Sequence, residues 1–278
     1  MRLNIRDIQA MKRNGQPIAM LTAYDLVSAR LGERAGIPML LVGDTLGMVI
    51  QGHNSTIPVT LDQIIYHASI VSRVTEKALI VGDLPFMTYS VSAEQALENA
   101  GRLMQEAGVT CVKLEGGKEM APTIERLVKA GIPVMAHVGL TPQSVNQFGG
   151  FRVQGKELES AKMILEDALA VEAAGAFSIV LELVPSELSK LITERLRIPT
   201  IGIGAGVHCD GQVQVFHDIL GLFDDFIPKH TTRYTELGEV IEKALERYRE
   251  DVEARQFPTS ANSFAMNPDL IAALEKME

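Results

Sequence analysis

The 278-residue chain has few cysteines, no tryptophan and no excess of positive charge. Its two cysteines, Cys111 and Cys209, are too few for a disulfide framework, which suits a reducing compartment. A net charge of −9 at pH 7 disfavours nucleic acid and anionic membrane surfaces as partners. No run of about 18 uninterrupted apolar residues is present, so no membrane span is expected. The N-terminus lacks the apolar core of a signal peptide, and a cytoplasmic protein is therefore expected.

Eight short apolar runs, separated by helical patterns, predict parallel strands that are buried on both faces. The runs lie at 17–25, 38–45, 78–86, 111–117, 133–140, 177–184, 199–206 and, as the weakest of the set, 226–230. The 46% of hydrophobic residues is enough for a sizeable core. Strand–helix alternation with eight strands favours a single (β/α)8 TIM barrel, with a doubly wound open sheet as the structural alternative.

Helical patterns occur between the strands and at the N-terminus. Residues 94–108 and 236–252 both repeat apolar side chains with a 3.6-residue period, and both apolar faces are expected to be core. The first 16 residues are extra to the barrel pattern. They are predicted to contain a helix that closes the N-terminal mouth of the barrel.

The end of the chain departs from the barrel pattern. We predict a catalytic barrel over 1–255 and a C-terminal tail over 256–278, which would pack on the barrel or on a neighbouring subunit. Asn267 and Pro268 have the residue types of a helix cap and a first helical position, so a last short helix is expected there.

Polar residues mark the C-terminal ends of the predicted strands, where the active site of a barrel forms. They are Asp44, Thr45, Asp83, Lys113, Glu115, His137 and Glu182. A single acid after a strand is more often a turn residue or helix cap, but "VGD" recurs at two successive strand ends and a third acid follows at the next. Three oxygen donors on adjacent strands suit a hard divalent cation such as Mg²⁺, whereas zinc-type Cys/His spacing is absent.

Four of these residues allow a finer interpretation. Lys113 and Glu115 are two positions apart in one strand, so their side chains should point to the same side. Glu182 lies in the otherwise apolar run "IVLELV", where a carboxylate is costly to bury unless it is paired or used, and we favour use as a general base. His137 is more often a structural residue at such a position and ranks as an accessory group.

Two further features keep a structural interpretation open. The "GIGAG" segment at 202–206 suits either a phosphate-binding loop or close packing of the backbone, and the sequence does not choose between them. Cys111 shares a strand face with Lys113 but has no activating partner in the sequence, so an inert packed thiol is expected.

Seven motifs carry a family resemblance that covers roughly residues 3–255. They are, in order, "VGDTLGM", "VGDLPFM", "VKLEGG", "AHVGLTPQ", "FGGFRVQG", "VLELVP" and "IGIGAG" followed by "DGQ". Together they resemble the ketopantoate hydroxymethyltransferase (3-methyl-2-oxobutanoate hydroxymethyltransferase) family. The resemblance implies a TIM barrel related to the phosphoenolpyruvate mutase and isocitrate lyase group, assembled as a homodecamer and active in pantothenate biosynthesis.

The resemblance also implies a reaction and its residues. A hydroxymethyl unit would pass from 5,10-methylenetetrahydrofolate to 3-methyl-2-oxobutanoate, giving 2-dehydropantoate through a magnesium-stabilised enolate. The implied roles are Mg²⁺ binding by Asp44, Asp83 and Glu115, contact with the oxo acid by Asp44, Thr45, Asp83 and Lys113, and proton acceptance by Glu182. Thr45 stands where the family usually has serine, and "FIPKHTTRY" departs from the usual family pattern.

Three alternatives compete with this interpretation. A lyase of the isocitrate lyase type would use the same metal and enolate chemistry, but usually with a cysteine in a mobile loop. A phosphate-handling barrel isomerase would rest on "GIGAG" alone and leave the strand-end acids unexplained. A non-catalytic oxo-acid-binding protein would be favoured by an export signal.

Overall fold

The computed structural model describes residues 1–150, 152–223 and 227–277, without the side chain of Phe148, and its centre is a closed barrel of eight parallel strands. The strands are β1 Ile18–Thr22, β2 Met39–Val42, β3 Leu79–Asp83, β4 Cys111–Glu115, β5 Val134–Gly139, β6 Ser178–Glu182, β7 Thr200–Ile203 and β8 Gly211–Gln214. Because β8 pairs in parallel with β1, the sheet has no open edge. The predicted (β/α)8 barrel is confirmed, and the doubly wound sheet is excluded.

Helices surround the barrel, and local sequence signals set several of their ends. They are α1 Ile5–Arg13, α2 Leu26–Arg34, α3 Leu46–Val49, α4 Leu61–Val74, α5 Ala93–Ala107, α6 Ala121–Lys129, α7 Val145–Phe148, α8 Leu158–Ala173, α9 Ser186–Arg195, α10 Phe216–Ile219, α11 Leu237–Glu253 and α12 Pro268–Leu274. The Ser92 side chain caps the start of α5, and Gly108 ends that helix with φ of 68°, a left-handed conformation that glycine adopts without strain. Asn267 caps α12 at Pro268, as predicted.

The eighth strand is not where the apolar pattern predicts it. β8 is the segment "GQVQ" at 211–214, whereas residues 227–230 form no strand and Phe226 lies outside the described residues. The prediction at 226–230 is therefore wrong. The true strand is only four residues long and contains two glutamines, so it lacks an apolar signal. It is held by backbone pairing to β1 and β7, which the pattern of side chains does not reveal.

Alternating side chains divide the core into two layers. An inner cluster fills the barrel, with Met20, Met39, Val81, Cys111, Met135, Val180 and Ile201 among its members. Ile8 of α1 is fully buried in this cluster, so α1 closes the N-terminal end as predicted. The larger outer cluster packs the opposite faces of the strands against helices such as α4 and α5. Asp83, Lys113 and Glu115 have the inward parity, which places them above the inner layer.

The last helices lie away from both layers. α11 forms where the periodicity predicts a helix, but every residue from 239 to 277 is exposed. The prediction that its apolar face belongs to the core is therefore wrong for the single chain. The outer wall of β8 and β1 remains open nearby, with a groove of about 980 Å³ lined in part by Ala19, Gln212 and Gln214. In the part of the chain that the structure covers, we find no helix with the length and apolarity needed to cross a membrane.

Candidate active site

A buried ion pair forms the floor of the candidate site. Asp83 ends β3 and Lys113 lies in β4, and these two residues are register partners in the parallel sheet. Lys113 Nζ donates to Asp83 Oδ1 at 2.7 Å, with both side chains almost fully buried. Burial alone would lower the pKa of Lys113, but Asp83, Glu115 and Asp44 raise it above its ordinary value. Lys113 therefore stays an ammonium group in a site that excludes bulk water.

Asp44 adds a second carboxylate beside this pair. Its backbone N–H donates to Asp83 Oδ2 at 3.2 Å, and Gln143 Nε2 donates to Asp44 Oδ2 at 2.8 Å. Burial, followed by the charges of Asp83 and Glu115, raises the pKa of Asp44 well above its ordinary value. Thr45 follows at the start of α3 and is partly exposed. Within the described residues its hydroxyl caps no helical N–H.

Glu115 is held by residues that the sequence analysis did not single out. The backbone N–H of Gln143 donates to Glu115 Oε2 at 3.0 Å, and the Gln143 side chain also donates to the carbonyl of Leu84 at 3.0 Å. The Tyr89 hydroxyl donates to Gln143 Oε1 at 2.7 Å and accepts from the backbone N–H of Glu115 at 3.2 Å. Gln143 and Tyr89 therefore fix the positions of Asp44 and Glu115.

His137 connects the acid cluster to Glu182. Its Nδ1 lies 3.6 Å from Glu115 Oε1, and its Nε2 lies 3.2 Å from Glu182 Oε2. Burial lowers the pKa of His137, but the neighbouring carboxylates of Glu115 and Glu182 outweigh this effect and raise it to about 9. The imidazole is 2% exposed and the Glu182 side chain 14% exposed. Glu182 therefore faces the opening while His137 orients it from below.

Backbone geometry supports this placement of Glu182. Leu183, the next residue, has φ of 46°, in the left-handed region that a leucine rarely adopts. Such strain is of the order of 1–3 kcal/mol and persists only where surrounding structure fixes it. The Leu183 carbonyl accepts from the backbone N–H of Gln154 at 2.8 Å, which holds the turn.

The predicted site residues fall into one cluster. Asp44, Asp83, Lys113, Glu115 and His137 are buried, Glu182 joins them through His137, and Thr45 lies at the edge. The shared inward parity predicted for Lys113 and Glu115 is confirmed. Gln143 and Tyr89 were missed because a glutamine or tyrosine in a loop carries no charge signal. The position of Gln143 four residues after β5, in "GLTPQ", was the available clue.

The charges of the cluster fit a cation, although they do not form a finished ligand cage. Asp44, Asp83 and Glu115 bring three buried carboxyl groups close to the Lys113 ammonium. Within residues 1–150, 152–223 and 227–277, no three His, Cys, Asp or Glu side chains converge as a ready-made metal cluster. Magnesium commonly uses one or two carboxylates and takes its other oxygens from water or substrate. The donor set therefore suits Mg²⁺ better than a metal that needs a complete protein cage.

The cysteines and the glycine segment have structural surroundings. Burial raises the pKa of the Cys111 thiol and of the partly buried Cys209 thiol, which disfavours a thiolate at either position. A Cβ at Gly204 or Gly206 would overlap the Leu183 or Ser186 side chain. These contacts support the close-packing interpretation of "GIGAG" over phosphate binding.

A cavity of about 480 Å³ adjoins the acid cluster at the C-terminal face of the barrel. Glu115, Gln143 and Tyr89 line its inner end. The larger groove outside β8 contains none of the predicted site residues. We therefore place the chemistry beside the smaller cavity, because Glu115 of the acid cluster lines it together with Gln143 and Tyr89.

Several solved structures share this fold at low sequence identity. A phosphonopyruvate hydrolase in complex with oxalate and Mg²⁺ aligns with a TM-score of 0.64 and 12% identity, covering 99% of this chain and 95% of that chain. A 2,3-dimethylmalate lyase of the PEP mutase/isocitrate lyase superfamily aligns with a TM-score of 0.56 and 15% identity, covering 99% and 96%. At these identities the likeness establishes the barrel fold alone.

Sequence comparison is more specific. A 3-methyl-2-oxobutanoate hydroxymethyltransferase of Chloroflexus aurantiacus is 60% identical over 273 residues, covering 98% of this chain and 96% of that protein. The enzyme of the same name from Dehalococcoides mccartyi is 54% identical over 276 residues, covering 99% and 98%. The sequence profile of the ketopantoate hydroxymethyltransferase family matches residues 2–260. The chain therefore belongs to the ketopantoate hydroxymethyltransferase family and is a transferase.

Proposed function

We propose that the chain transfers a hydroxymethyl unit from 5,10-methylenetetrahydrofolate to 3-methyl-2-oxobutanoate, forming 2-dehydropantoate in cytoplasmic pantothenate biosynthesis. The acceptor and the type of group transferred follow the names of the relatives. The observation that carries the proposal is the convergence of a buried ammonium, three carboxyl groups and a partly open Glu182 at one end of the barrel.

The reaction removes a proton from C3 of the oxo acid, next to its ketone. Negative charge then develops on the keto oxygen, and Lys113 supplies a fixed positive charge for that oxygen in a dry site. Asp83 holds the ammonium in place at 2.7 Å. Asp44 and Thr45 complete the contacts with the oxo acid. Gln143 keeps Asp44 oriented through its 2.8 Å hydrogen bond.

Glu182 is the proton acceptor of this proposal. Its carboxylate has the exposure needed to reach C3, and the His137 contact at 3.2 Å fixes its orientation. His137 acts through Glu182 and is therefore a positioning residue. Once the C3–H bond breaks, C3 bonds to the methylene carbon of the folate. Both bonds from that carbon to the folate nitrogens break. Water supplies the hydroxyl group and one proton, and the proton that Glu182 removed from C3 is the second, so that tetrahydrofolate leaves with both nitrogens protonated.

The metal requirement is part of the proposal. Asp44, Asp83 and Glu115 would hold Mg²⁺ together with oxygens of the oxo acid or water. A bound Mg²⁺ would supply Lewis-acid polarisation of the keto group. The buried carboxyl groups around Lys113 support this assignment, as does the raised pKa of Asp44.

The assembly is proposed to be a homo-oligomer, with ten subunits as the family resemblance implies. The α11 helix and the tail as far as residue 277 expose apolar side chains such as Leu245, Tyr248 and Phe264. The open groove outside β8 and β1 offers a partner surface of matching kind. We propose that the arm of a second copy covers this groove, since a single chain would otherwise expose both apolar surfaces.

The alternative functions are less well supported. A cysteine-dependent lyase would need a reactive thiol, and burial disfavours the thiolate at Cys111 and Cys209. A phosphate isomerase rested on "GIGAG", whose glycines pack against Leu183 and Ser186. A non-catalytic binding protein does not agree with membership of a transferase family.

One assay tests the proposed reaction. The purified protein should form 2-dehydropantoate from 3-methyl-2-oxobutanoate, methylenetetrahydrofolate and Mg²⁺, and EDTA should abolish the product. Asp83→Ala should remove activity, while the exposed Asp62→Ala on α4 should keep it. Product formation by Asp83→Ala in EDTA would contradict the metal assignment. The absence of product with wild-type protein would contradict the reaction itself.

A further inference from the structure

The cavity beside the acid cluster extends well beyond the residues used for the oxo acid. Its lining includes Glu115 and Gln143, and also Asp167 and Met163, both from α8. A volume of about 480 Å³ lies within the usual size of a small-molecule site, roughly 300–1,000 Å³. The proposed oxo acid is a five-carbon molecule whose apolar part is a three-carbon isopropyl group, and it does not fill this space. A second, larger ligand is therefore expected next to it.

The walls of this cavity suit a flat ring. Phe86, Met87 and Met163 line it, with exposures of 40%, 50% and 62%. Large apolar side chains that remain this open at a concave surface gain contact when a planar ligand covers them. Met87 also has φ of 63°, in the left-handed region. A strained methionine at the cavity wall is typical of a ligand-binding position.

Asp167 supplies the polar end of the cavity. The backbone N–H of Lys118 donates to Asp167 Oδ1 at 2.9 Å, which orients the carboxylate and does not occupy Oδ2. A Cβ at Gly117 would overlap the Asp167 side chain, so only glycine lets the loop after β4 approach it this closely. Burial raises the pKa of Asp167 above its ordinary value, and Glu119 adds to the negative potential. This end of the cavity therefore favours a ligand that presents N–H donors.

We propose that this cavity binds the pterin ring of the folate donor, with Asp167 accepting from the adjacent ring N–H and exocyclic amino group. The inference rests on the proposed function, which requires a reduced folate beside the oxo acid. A pterin is planar and presents two neighbouring N–H donors at one edge, which a single carboxylate can accept. Phe86, Met87 and Met163 cover its faces.

The charges of the cavity exclude the other parts of the two substrates. The glutamate tail of folate is anionic, and Asp167, Glu119 and Glu115 would repel it. The tail is therefore directed out through the mouth of the cavity. The oxo acid is also anionic and is drawn to Lys113, which is paired with Asp83 and does not line this cavity. The pterin ring is left as the part of the folate that matches the cavity.

Asp167→Asn tests the assignment, because asparagine keeps the shape and the acceptor for Lys118 but removes the charge. We expect the KM for methylenetetrahydrofolate to rise about 10- to 100-fold, the effect of losing charge-assisted hydrogen bonds. The Kd of 6-methyltetrahydropterin, which has no glutamate tail, should rise by a similar factor in calorimetric titration. Met163→Ala removes an apolar side chain from the cavity wall, and it should weaken the binding of both methylenetetrahydrofolate and 6-methyltetrahydropterin independently of Asp167. The matched control is Glu166→Gln, an exposed neighbour on the same helix, which should change neither value.

The outcomes separate this inference from the proposed function. In D₂O the enzyme should exchange the C3 hydrogen of the oxo acid for deuterium without folate. Asp167→Asn should therefore lose mainly the rate of the folate-dependent reaction and keep most of its exchange rate. If wild-type protein forms product but Asp167→Asn keeps the wild-type KM and Kd, the pterin assignment is wrong. If Asp167→Asn loses deuterium exchange and folate binding to the same extent, Asp167 is a structural residue. If the cavity binds aminobenzoylglutamate and not 6-methyltetrahydropterin, it holds the tail of the folate. Either result overturns the inference. If wild-type protein forms no product from methylenetetrahydrofolate, the proposed function itself fails.

Discussion

At the scale of single residues, the site depends on how each charge is buried. Lys113 and Asp83 are almost completely enclosed, whereas Glu182 retains contact with the opening through 14% exposure. A group that only stabilises charge gains from enclosure, because the local dielectric is low. A base must also reach its substrate. The difference in exposure therefore matches the difference in proposed roles.

Glu182→Gln keeps the shape of the side chain and removes the base. In D₂O with Mg²⁺ and the oxo acid alone, wild-type protein should exchange deuterium into C3, since Lys113 already stabilises the charge on oxygen. The variant should lose exchange by about 10²- to 10⁴-fold, the usual effect of losing a general base. NMR of the substrate measures the rate, and exposed Glu187→Gln is the control. Exchange at the wild-type rate would assign the base elsewhere, with His137 tested next.

Lys113→Met should destabilise the fold, because it leaves the buried Asp83, Asp44 and Glu115 carboxylates without their ammonium partner. We expect the free energy of unfolding to fall by about 3–5 kcal/mol in urea titrations with EDTA present. Lys129→Met is a matched control: Lys129 lies 2.7 Å from Glu125, the same distance as in the buried pair, but both side chains are more than half exposed. That change should cost no more than about 1 kcal/mol. Equal losses in both variants would contradict the importance of burial.

At the scale of elements, closure of the barrel depends on β8. This strand is four residues long, and it pairs with β1 from Ile18 to Leu21. Gly211 begins it at a point where the backbone of β1 lies too close for a side chain. The short strand thus closes the barrel through backbone contact, whereas β5 and β6 are also held by apolar packing on both faces.

Gly211→Ala should destabilise this closure, because its Cβ would overlap the Ile18 carbonyl and lie within 2.7 Å of the Ile18 Cβ. Overpacking of this kind costs typically about 1–3 kcal/mol in the free energy of unfolding. Gly101→Ala is the matched control, since Gly101 lies inside α5 with no atom within 4 Å of an added Cβ. That variant should be more stable by about 0.5–1 kcal/mol. Chemical denaturation measures both changes, and a stabilising effect of Gly211→Ala would show that β8 tolerates a wider separation from β1.

At the scale of the whole molecule, α11 and the chain after it form an exposed arm, and the outer wall of the barrel at β8 and β1 is open. Both surfaces indicate contact with another subunit. α11 has an apolar face that includes Ile241, Leu245 and Tyr248, and the chain beyond it stays exposed to residue 277. Exposed apolar surface of this extent marks an interaction site more often than a monomer surface. The proposed oligomer would bury this face.

Leu245→Asp should reduce the size of the assembly, because it places a charge in the centre of the apolar face of α11. Glu246→Gln changes the adjacent exposed residue and should leave the size unchanged. Sedimentation velocity at micromolar concentration compares the two variants with wild-type protein. A wild-type monomer, or a Leu245→Asp protein of unchanged mass, would contradict the proposed role of the arm.

The sequence by itself determined seven of the eight strands, the N-terminal helix and most of the candidate site. Buried parallel strands need nearly continuous apolar runs, so β1 to β7 were visible from the order of apolar residues along the chain. The alternation of side chains then gave Lys113 and Glu115 a common direction. Acids at consecutive strand ends of a barrel have to meet at one mouth, whatever the intervening loops do.

Only the tertiary structure decided the features that depend on contacts distant in sequence. Gln143 donates a hydrogen bond to Asp44, which lies 99 residues away in the sequence. The sequence around either residue does not indicate this contact. β8 is held by backbone hydrogen bonds to β1 and β7, which leave no apolar pattern. The exposure of α11 was hidden because periodicity reveals that a helix has an apolar face, but not which surface covers it. The local sequence pattern shows which side chains of a segment are apolar and need burial. The tertiary structure determines which surface buries them.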